Sequence, residues 1–452
     1  MELWKIGVVS TVSILSYNIL QPDFFVTLII AGILSAGFFY FEEKRNVILY
    51  MFIFSIYWIV SGVFIFNGEL EKGIIYSAKG EFNGKNIILS SINGKGGNII
   101  FKENSGDRFK GRAELLIKID NIEKIKNRYL LRGKIIEIKK DIFDKTRDYL
   151  SEKIKNISEN KKIHGITNAV ILGDNSGLTD EMQKSFRYTG TAHIIVISGM
   201  HIALIILAIL KIAEMLKLGY KTKYITSILI LSGYCFTVGM TPPVARSYIM
   251  GLIYLLSKLL WEKAEMDKSF WIAYLGILFF NPEQLFSLSF QLSFGAVFAM
   301  IYIYELIKNE KDNFFIEMLK LSFIIQLVLS PLFVIYFGTM PILSIFANMV
   351  AIPLGTVMIQ FMFGAVFITA LFSIFDGILK IILNYLVEIM IFYVKLFEKI
   401  PFMQVEINSA GAFIFIILYL IFAGMGVRFI IRKKEERINS EKIILNIEKV
   451  DF

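Results

Sequence analysis

Cysteine, histidine and proline are scarce in this 452-residue sequence, with one, three and eight copies. A lone Cys235 excludes an internal disulfide, so any extracytoplasmic part must be held by its own core. Three histidines, His164, His193 and His201, are too few to ligate a histidine-rich dinuclear metal centre. Charged residues make up only 19%, against the ~25% usual in soluble domains. No G-x-x-x-x-G-K-[ST] loop is present, so any nucleotide-driven motor must be a separate protein. A cleaved leader is not expected, because the first apolar run is followed at once by another. What is plentiful is apolar: 55% of residues are hydrophobic, 41 are Phe, and the mean hydropathy is +0.61. That balance excludes an ordinary soluble enzyme, a disordered chain and a disulfide scaffold. It predicts a polytopic α-helical membrane protein with a small extracytoplasmic β-barrel domain attached.

Residues 1–66 hold three apolar runs, about 4–20, 24–41 and 47–66, each near the ~17–25 residues that cross a bilayer. Residues 67–163 differ. They contain 22 Lys and Arg against 14 Asp and Glu, which is nearly all of the chain's net charge of +9. No window there could span a membrane. Within 67–140 the runs GIIYSAKGEF, KNIILSSI, GGNIIFKEN, GRAELLIKID and YLLRGKIIEIKK read as short strands, and Asn83-Gly84 and Asn93-Gly94 read as hairpin turns. Five such strands predict an OB-like barrel, although a sandwich gives the same pattern. Residues 141–163 read as an amphipathic connector helix, with Ile142, Phe143, Tyr149, Leu150, Ile154 and Ile157 on one face. It could lie on the membrane surface or pack on the barrel.

From 164 to 431 the chain is apolar again. Spans are expected near 193–210, 224–241, 244–261, 269–306 (broken at Asn281-Pro282), 318–337, 341–375 (broken around Pro353), 378–399 and 410–431. A short charged tail, 432–452, follows. The positive clusters Lys44-Arg45, 217–223 and Arg428–Lys434 are expected on the cytoplasmic side. This puts 67–163 outside a bacterial cytoplasmic membrane and makes the segment near 269–283 a candidate re-entrant piece.

Polar groups inside such spans are costly unless paired or facing water. The stretch AHIIVISGMHIAL (192–204) carries His193, Ser198, Gly199 and His201. On an unbroken helix the two histidines face one direction about 12 Å apart, too far to share a metal ion unless the helix breaks at Ser198-Gly199. They can line one cavity, or simply hydrogen-bond across a packed bundle. Asp174 in ILGD is either a loop cap or a charged rim. Arg246 in PPVARSYIM either snorkels to headgroups or turns inward to grip phosphates. Gln291 and Ser293 in NPEQLFSLSFQLSF, and Asn348 in SIFANMVAIP, complete the polar set.

Taken in order, ILGD (171–174), TGTAHIIVISGMHI (189–202), PPVARSYIM (242–250), NPEQLFSLSFQLSF (281–294) and SIFANMVAIP (344–353) resemble the ComEC family of competence proteins. The H-x4-S-G-x-H core is the most specific element, and the resemblance covers roughly 164–431. It implies N-terminal spans, an OB-like extracytoplasmic domain and a helical channel that passes single-stranded DNA inward during natural transformation. It also implies an external DNA receptor and a cytoplasmic helicase-like ATPase as partners, besides the bilayer, with no cofactor or metal. Many relatives continue into a metallo-β-lactamase-like domain. This sequence reaches Phe452 without one, so strand degradation is expected of a separate nuclease, and the chain itself is expected to be a channel rather than an enzyme. The path is expected to follow Asp174, His193, Ser198, Gly199, His201, Arg246, Gln291, Ser293 and Asn348.

The basic stretch agrees with that reading, because phosphate neutralisation dominates DNA binding. Lys102, Arg108, Lys110, Arg112, Arg128 and Arg132 supply charge, and Phe82, Phe101, Phe109 and Tyr129 supply rings for base stacking. Attraction to anionic headgroups is the plainer account of the same charge. Two other functions stay open. One is a secondary transporter of a small anion or lipid-linked sugar, which calls for an inverted repeat. The other is an intramembrane serine protease with Ser198 as nucleophile and a histidine as base, although Val196 stands where the first glycine of a rhomboid-type G-x-S-G would be.

Overall fold

A computed structural model describes residues 3–20, 53, 55–57, 70–82, 87–93, 95–103, 112–125, 128–309 and 311–408, with single positions between 411 and 419. The expected span 24–41 and most of 47–66, the Asn83-Gly84 turn, Arg108, Phe109 and Lys110, most of 410–431 and the tail 432–452 lie outside the described residues.

Five strands form one small curled sheet: β1 (Ile75–Phe82), β2 (Ile87–Ile92), β3 (Lys95–Glu103), β4 (Arg112–Ile125) and β5 (Arg128–Lys139). They fall on the five alternating runs, although β4 and β5, at 14 and 12 residues, outlast the short strands expected. Strand β1 pairs antiparallel with β2 and β4, β2 with β3 and β4 with β5, while β3 and β5 run parallel. Every strand therefore has two partners. Period-2 patterning causes the burial: along β4, Ala113, Leu115, Ile117 and Ile119 point inward, while Glu114, Lys118 and Asp120 point out. The inward set joins Leu89, Ile92, Ile99, Phe101 and Leu131 in a core of its own, and each such side chain contributes about 1.5–3 kcal/mol when fully buried. At Gly133 the backbones of β4 and β5 come so close that a Cβ would lie 1.9 Å from the Lys118 carbonyl oxygen.

The remaining chain is helical. In order come α1 (Leu3–Leu20), α2 (Ile142–Asn156), α3 (Lys161–Leu172), α4 (Asp180–Tyr188), α5 (Gly199–Met215), α6 (Tyr220–Val238), α7 (Pro242–Leu259), α8 (Met266–Phe280), α9 (Leu288–Phe298, continued as a π-helical turn), α10 (Phe314–Phe337), α11 (Ser344–Leu371) and α12 (Asp376–Glu398). Five stretches are long and apolar enough to cross a bilayer: 192–215, 288–307, 314–337, 344–371 and 373–398. The protein is a multi-pass membrane protein. Sequence neighbours pack on each other from α5 to α8, α9 packs on α7 and α10, α11 packs on α12, and α1 packs on α8. Gly7 of α1 makes the last contact close, because a Cβ there would meet Trp271 at 2.3 Å.

Three expectations change. The connector is two helices, not one. Helix α2, capped by Asp141, ends at Asn156, and Asn160 then caps α3 through its Oδ1. Residues 163 and 165–172 are all buried, so the turn at 157–160 lets a second helix enter the bundle that one long helix could not. Secondly, Pro353 does not break its span. Helix α11 runs through it for 28 residues. Proline removes only one backbone donor, and Thr356 donates its hydroxyl to the Ile352 carbonyl at 2.8 Å just beyond. Thirdly, the span expected at 193–210 does break. Residues 192–194 form a 3-10 turn and Ser198 is extended at φ −130°, ψ 177°, so α5 starts only at Gly199. The expected break near Asn281-Pro282 is present, filled by a 3-10 turn over 282–286.

Candidate functional site

The break before α5 brings sequence-distant polar groups together. Ser198 is the N-cap residue, and its hydroxyl and its backbone N–H lie 3.0 and 3.2 Å from His201 Nδ1. His201 stands three residues into the helix, so its ring takes the place that Glu or Gln holds in a capping box. Because Nδ1 accepts from the Ser198 amide, the ring proton sits on Nε2, which is buried near the Ile194 backbone. His201 is fully buried, whereas His193, on the 3-10 turn, is exposed.

Gly199 opens α5 directly against helix α7. A Cβ added there would lie 3.1 Å from Arg246 Nη2 and 3.2 Å from Ser247 Oγ. Helix α7 begins with Pro242-Pro243, which need no amide partners in a first turn, and this fixes Arg246 one turn in. The Arg246 side chain is 7% exposed. Its Nε donates to Ser293 Oγ on α9 at 2.8 Å, its Nη2 donates to Ser247 Oγ at 3.3 Å, and its Nη1 lies 3.8 Å from Met250 Sδ. The guanidinium also stands over the Phe294 ring, 6.0 Å from its centroid. No carboxylate pairs with Arg246 among the described residues. A desolvated charge with neutral partners only costs several kcal/mol.

Of the nine residues proposed for the path, Ser198, Gly199, His201, Arg246 and Ser293 thus converge. His193 lies near the His201 ring, and the other three are held locally or stand on other elements. Asp174 Oδ1 accepts from the Ser176 amide at 2.9 Å and caps a short turn. Gln291 Nε2 donates to the Leu285 carbonyl at 2.9 Å. Asn348 on α11 keeps a buried Oδ1 with no partner. Sequence reasoning passed over Ser247, Met250 and Phe294, which complete the surroundings of Arg246. The spacing of Arg246 and Met250 on one helix face was the available signal. A second polar group was also passed over. Asn168 Nδ2 lies 3.0 Å from Ser151 Oγ and 3.1 Å from His164 Nε2. Burial, aided by Lys155, holds the His164 imidazole below its usual range, and Asp174 opposes the shift.

In the sheet, Lys102 and Arg132 are exposed and paired across β3 and β5, with Arg132 also 3.6 Å from Glu123. Arg112, Arg128 and Tyr129 lie on strands β4 and β5. Phe101, expected to offer its ring for stacking, is instead fully buried, because it is in phase with Ile99 on the inward face of β3. Among the described residues no group of three His, Cys, Asp or Glu side chains could hold a metal ion.

The serine-protease alternative finds one short distance, Ser198 Oγ to His201 Nδ1. The same nitrogen also takes the Ser198 amide, which is how a helix is capped. A base shared in that way and fully buried is poorly placed to draw a proton from a nucleophile.

A family model described as Competence protein matches residues 170–431, more than half of the chain. Among curated proteins, ComE operon protein 3 of Bacillus subtilis is 28% identical over 192 residues, 42% of this chain and 25% of that protein. Recombination protein 2 of Haemophilus influenzae is 25% identical over 222 residues, 45% of this chain and 28% of that protein. An uncharacterized protein of Aquifex aeolicus is 28% identical over 257 residues, 50% of this chain and 59% of that protein. The matched stretch spans a quarter to six-tenths of these relatives' lengths. No solved structure matches.

Proposed function

The chain belongs to the Competence protein family, and on that premise we propose that it is a channel in the bacterial cytoplasmic membrane that admits single-stranded DNA during transformation. The observation that carries this reading is Arg246: a buried cation that faces a helix N-terminus and has neutral partners and no carboxylate among the described residues suits a chain that passes anions. The curled sheet, with strand order β1-β2-β3-β5-β4, is read as an OB-like barrel outside the membrane. It receives the strand through Lys102, Arg132 and the neighbouring basic positions, by backbone charge and base stacking. The motor is a separate protein, a helicase-like ATPase in the cytoplasm, and an external receptor delivers the DNA.

The test uses the full chain in proteoliposomes, with dye-labelled single strands outside and a nuclease trapped inside. Single strands are expected to be degraded in the lumen and a duplex of the same sequence to survive. A small-anion transporter gives the reverse result: flux of inorganic phosphate or a sugar phosphate with no strand degraded. That result, or equal strand loss in protein-free vesicles, refutes the channel reading.

A further inference from the structure

We propose that the joined ends of α5 and α7 form a binding surface for the headgroups of an anionic phospholipid leaflet. The proposal is independent of the channel reading above and holds whether or not strands cross.

Two helix ends carry the argument. After α5, the Lys217 amide donates to the Glu214 carbonyl at 2.9 Å and the Leu218 amide to the Ala213 carbonyl at 3.0 Å. After α7, the Trp261 amide donates to the Lys258 carbonyl at 3.1 Å and the Glu262 amide to the Ser257 carbonyl at 2.7 Å. Both are the closing pattern that sets one residue in the left-handed region, where glycine is the usual choice. The chain does use glycine at the ends of α3 and α10, with Gly173 at φ 69° and Gly338 at φ 65°. Here it uses Lys217 at φ 54° and Trp261 at φ 62°, although a Cβ disfavours that backbone. Neither side chain is needed for packing. Lys217 is exposed with no ion pair among the described residues, and Trp261 is 77% exposed.

The ring and the charges form one surface. Trp261 stacks on Tyr220, with centroids 4.1 Å apart and planes 11° from parallel. The Tyr220 hydroxyl donates to the Lys258 carbonyl, so the start of α6 is tied to the end of α7. Lys221 is exposed in the first turn of α6, where the helix dipole disfavours a cation, and no acidic residue lies in that turn to offset it. Around this pair of turns Met215, Leu216 and Leu260 are exposed as well.

The chemistry selects the occupant. Apolar side chains beside lysines and an indole suit neither bulk water nor the hydrocarbon core, but the boundary between them. The fold puts that boundary here: residues 192–215 are long and apolar enough to cross a bilayer, and the surface begins at their last residue. Ammonium groups at this level meet lipid phosphates, and each basic residue near an anionic leaflet strengthens binding about fivefold. A nucleic-acid strand would use the same charges but leave Met215, Leu216 and Leu260 in water.

The experiment uses the full chain in a neutral detergent, with bound lipids counted by native mass spectrometry as phosphatidylglycerol or phosphatidylcholine is titrated in. Phosphatidylglycerol is expected to bind more tightly. Lys217→Gly combined with Lys221→Gln is expected to weaken it about 25-fold, at about fivefold per lysine, and to leave phosphatidylcholine unchanged. Trp261→Gly should weaken both lipids. Thermal unfolding without lipid separates this role from a structural one: Lys217→Gly removes the left-handed Cβ and should hold or raise the midpoint. A lowered midpoint, or phosphatidylglycerol binding that survives the double substitution, overturns the proposal. So does a labelled single strand whose affinity falls with the double substitution while phosphatidylglycerol binding stands, which assigns the surface to nucleic acid. Strands that fail to cross vesicles, with the lipid preference intact, refute the channel and leave the lipid surface.

Discussion

Replacing Ser293 with alanine tests whether Arg246 is held as described. The guanidinium has five N–H donors, and Ser293 Oγ, 2.8 Å from Nε, is its one short oxygen contact among the described residues. The Ser247 contact is longer at 3.3 Å, and the Met250 sulfur is a weak acceptor at 3.8 Å. A hydrogen bond to a charged group contributes about 1.5–3 kcal/mol. Little water is at hand to replace the lost oxygen, because Arg246 is 7% exposed. Ser293→Ala should therefore destabilise the chain by about 1.5–3 kcal/mol, which is roughly 10- to 150-fold in the unfolding equilibrium at 1.4 kcal/mol per decade. Unfolding in mixed micelles with increasing SDS, followed by tryptophan fluorescence, measures it. Ser289 on the same helix is exposed, so Ser289→Ala should stay within about 0.5 kcal/mol of wild type, and Ser293→Thr, which keeps a hydroxyl, should recover most of the loss. If Ser293→Ala behaves like Ser289→Ala, Arg246 is satisfied by something else and the account of the site fails.

Three other outcomes are expected. Gly133→Ala puts a methyl 1.9 Å from the Lys118 oxygen, a backbone clash that should cost more than about 3 kcal/mol and expose 70–140 to limited proteolysis in the full chain; an unchanged digest contradicts the register of β4 and β5. His164 lies outside the five apolar spans, and its folded value is lowered. Below about pH 6.5, its ordinary value, the unfolded chain binds a proton that the folded chain resists, so stability should fall as the solution is acidified, and His164→Gln should flatten that fall. Lys102→Glu with Arg132→Glu should weaken single-strand binding and cut its salt slope by about 0.7 per charge, and an unchanged slope removes the β3–β5 face from the binding surface.

Strands and spans were legible because each is a local pattern. The alternation Ala113, Leu115, Ile117, Ile119 fixes β4 without any tertiary help, and apolar length alone marks α10 and α11. The break at Ser198 was open at Ser198-Gly199 but undecided, because residues 194–197 are as apolar as the helix that follows and His201 stands where an acidic or amide capping residue normally gives the signal. Helices α3 and α4 went unread for a related reason: each is too short to look like a span, and α3 is buried on nearly all faces, so it has no polar stripe to betray its period. Pro353 misled in the opposite direction, since its local cost is small beside the packing that keeps α11 continuous. The polar residues themselves were visible one by one. What the sequence could not display was that Arg246 and Ser293, 47 positions apart, would meet, because that contact is set by how α7 lies on α9.

The closure of β1 onto β4 in the curled sheet has a consequence for what can attach there. Where both neighbours are present, as along Ala78–Glu81 of β1 and Tyr129–Gly133 of β5, no row of backbone amides and carbonyls is left for an incoming peptide, whereas among the described residues Lys134–Lys139 of β5 pairs with β4 alone. Anything that docks over the doubly paired part must therefore grip by its side chains from above, and a strand that joins the ladder is confined to the singly paired ends of β4 and β5.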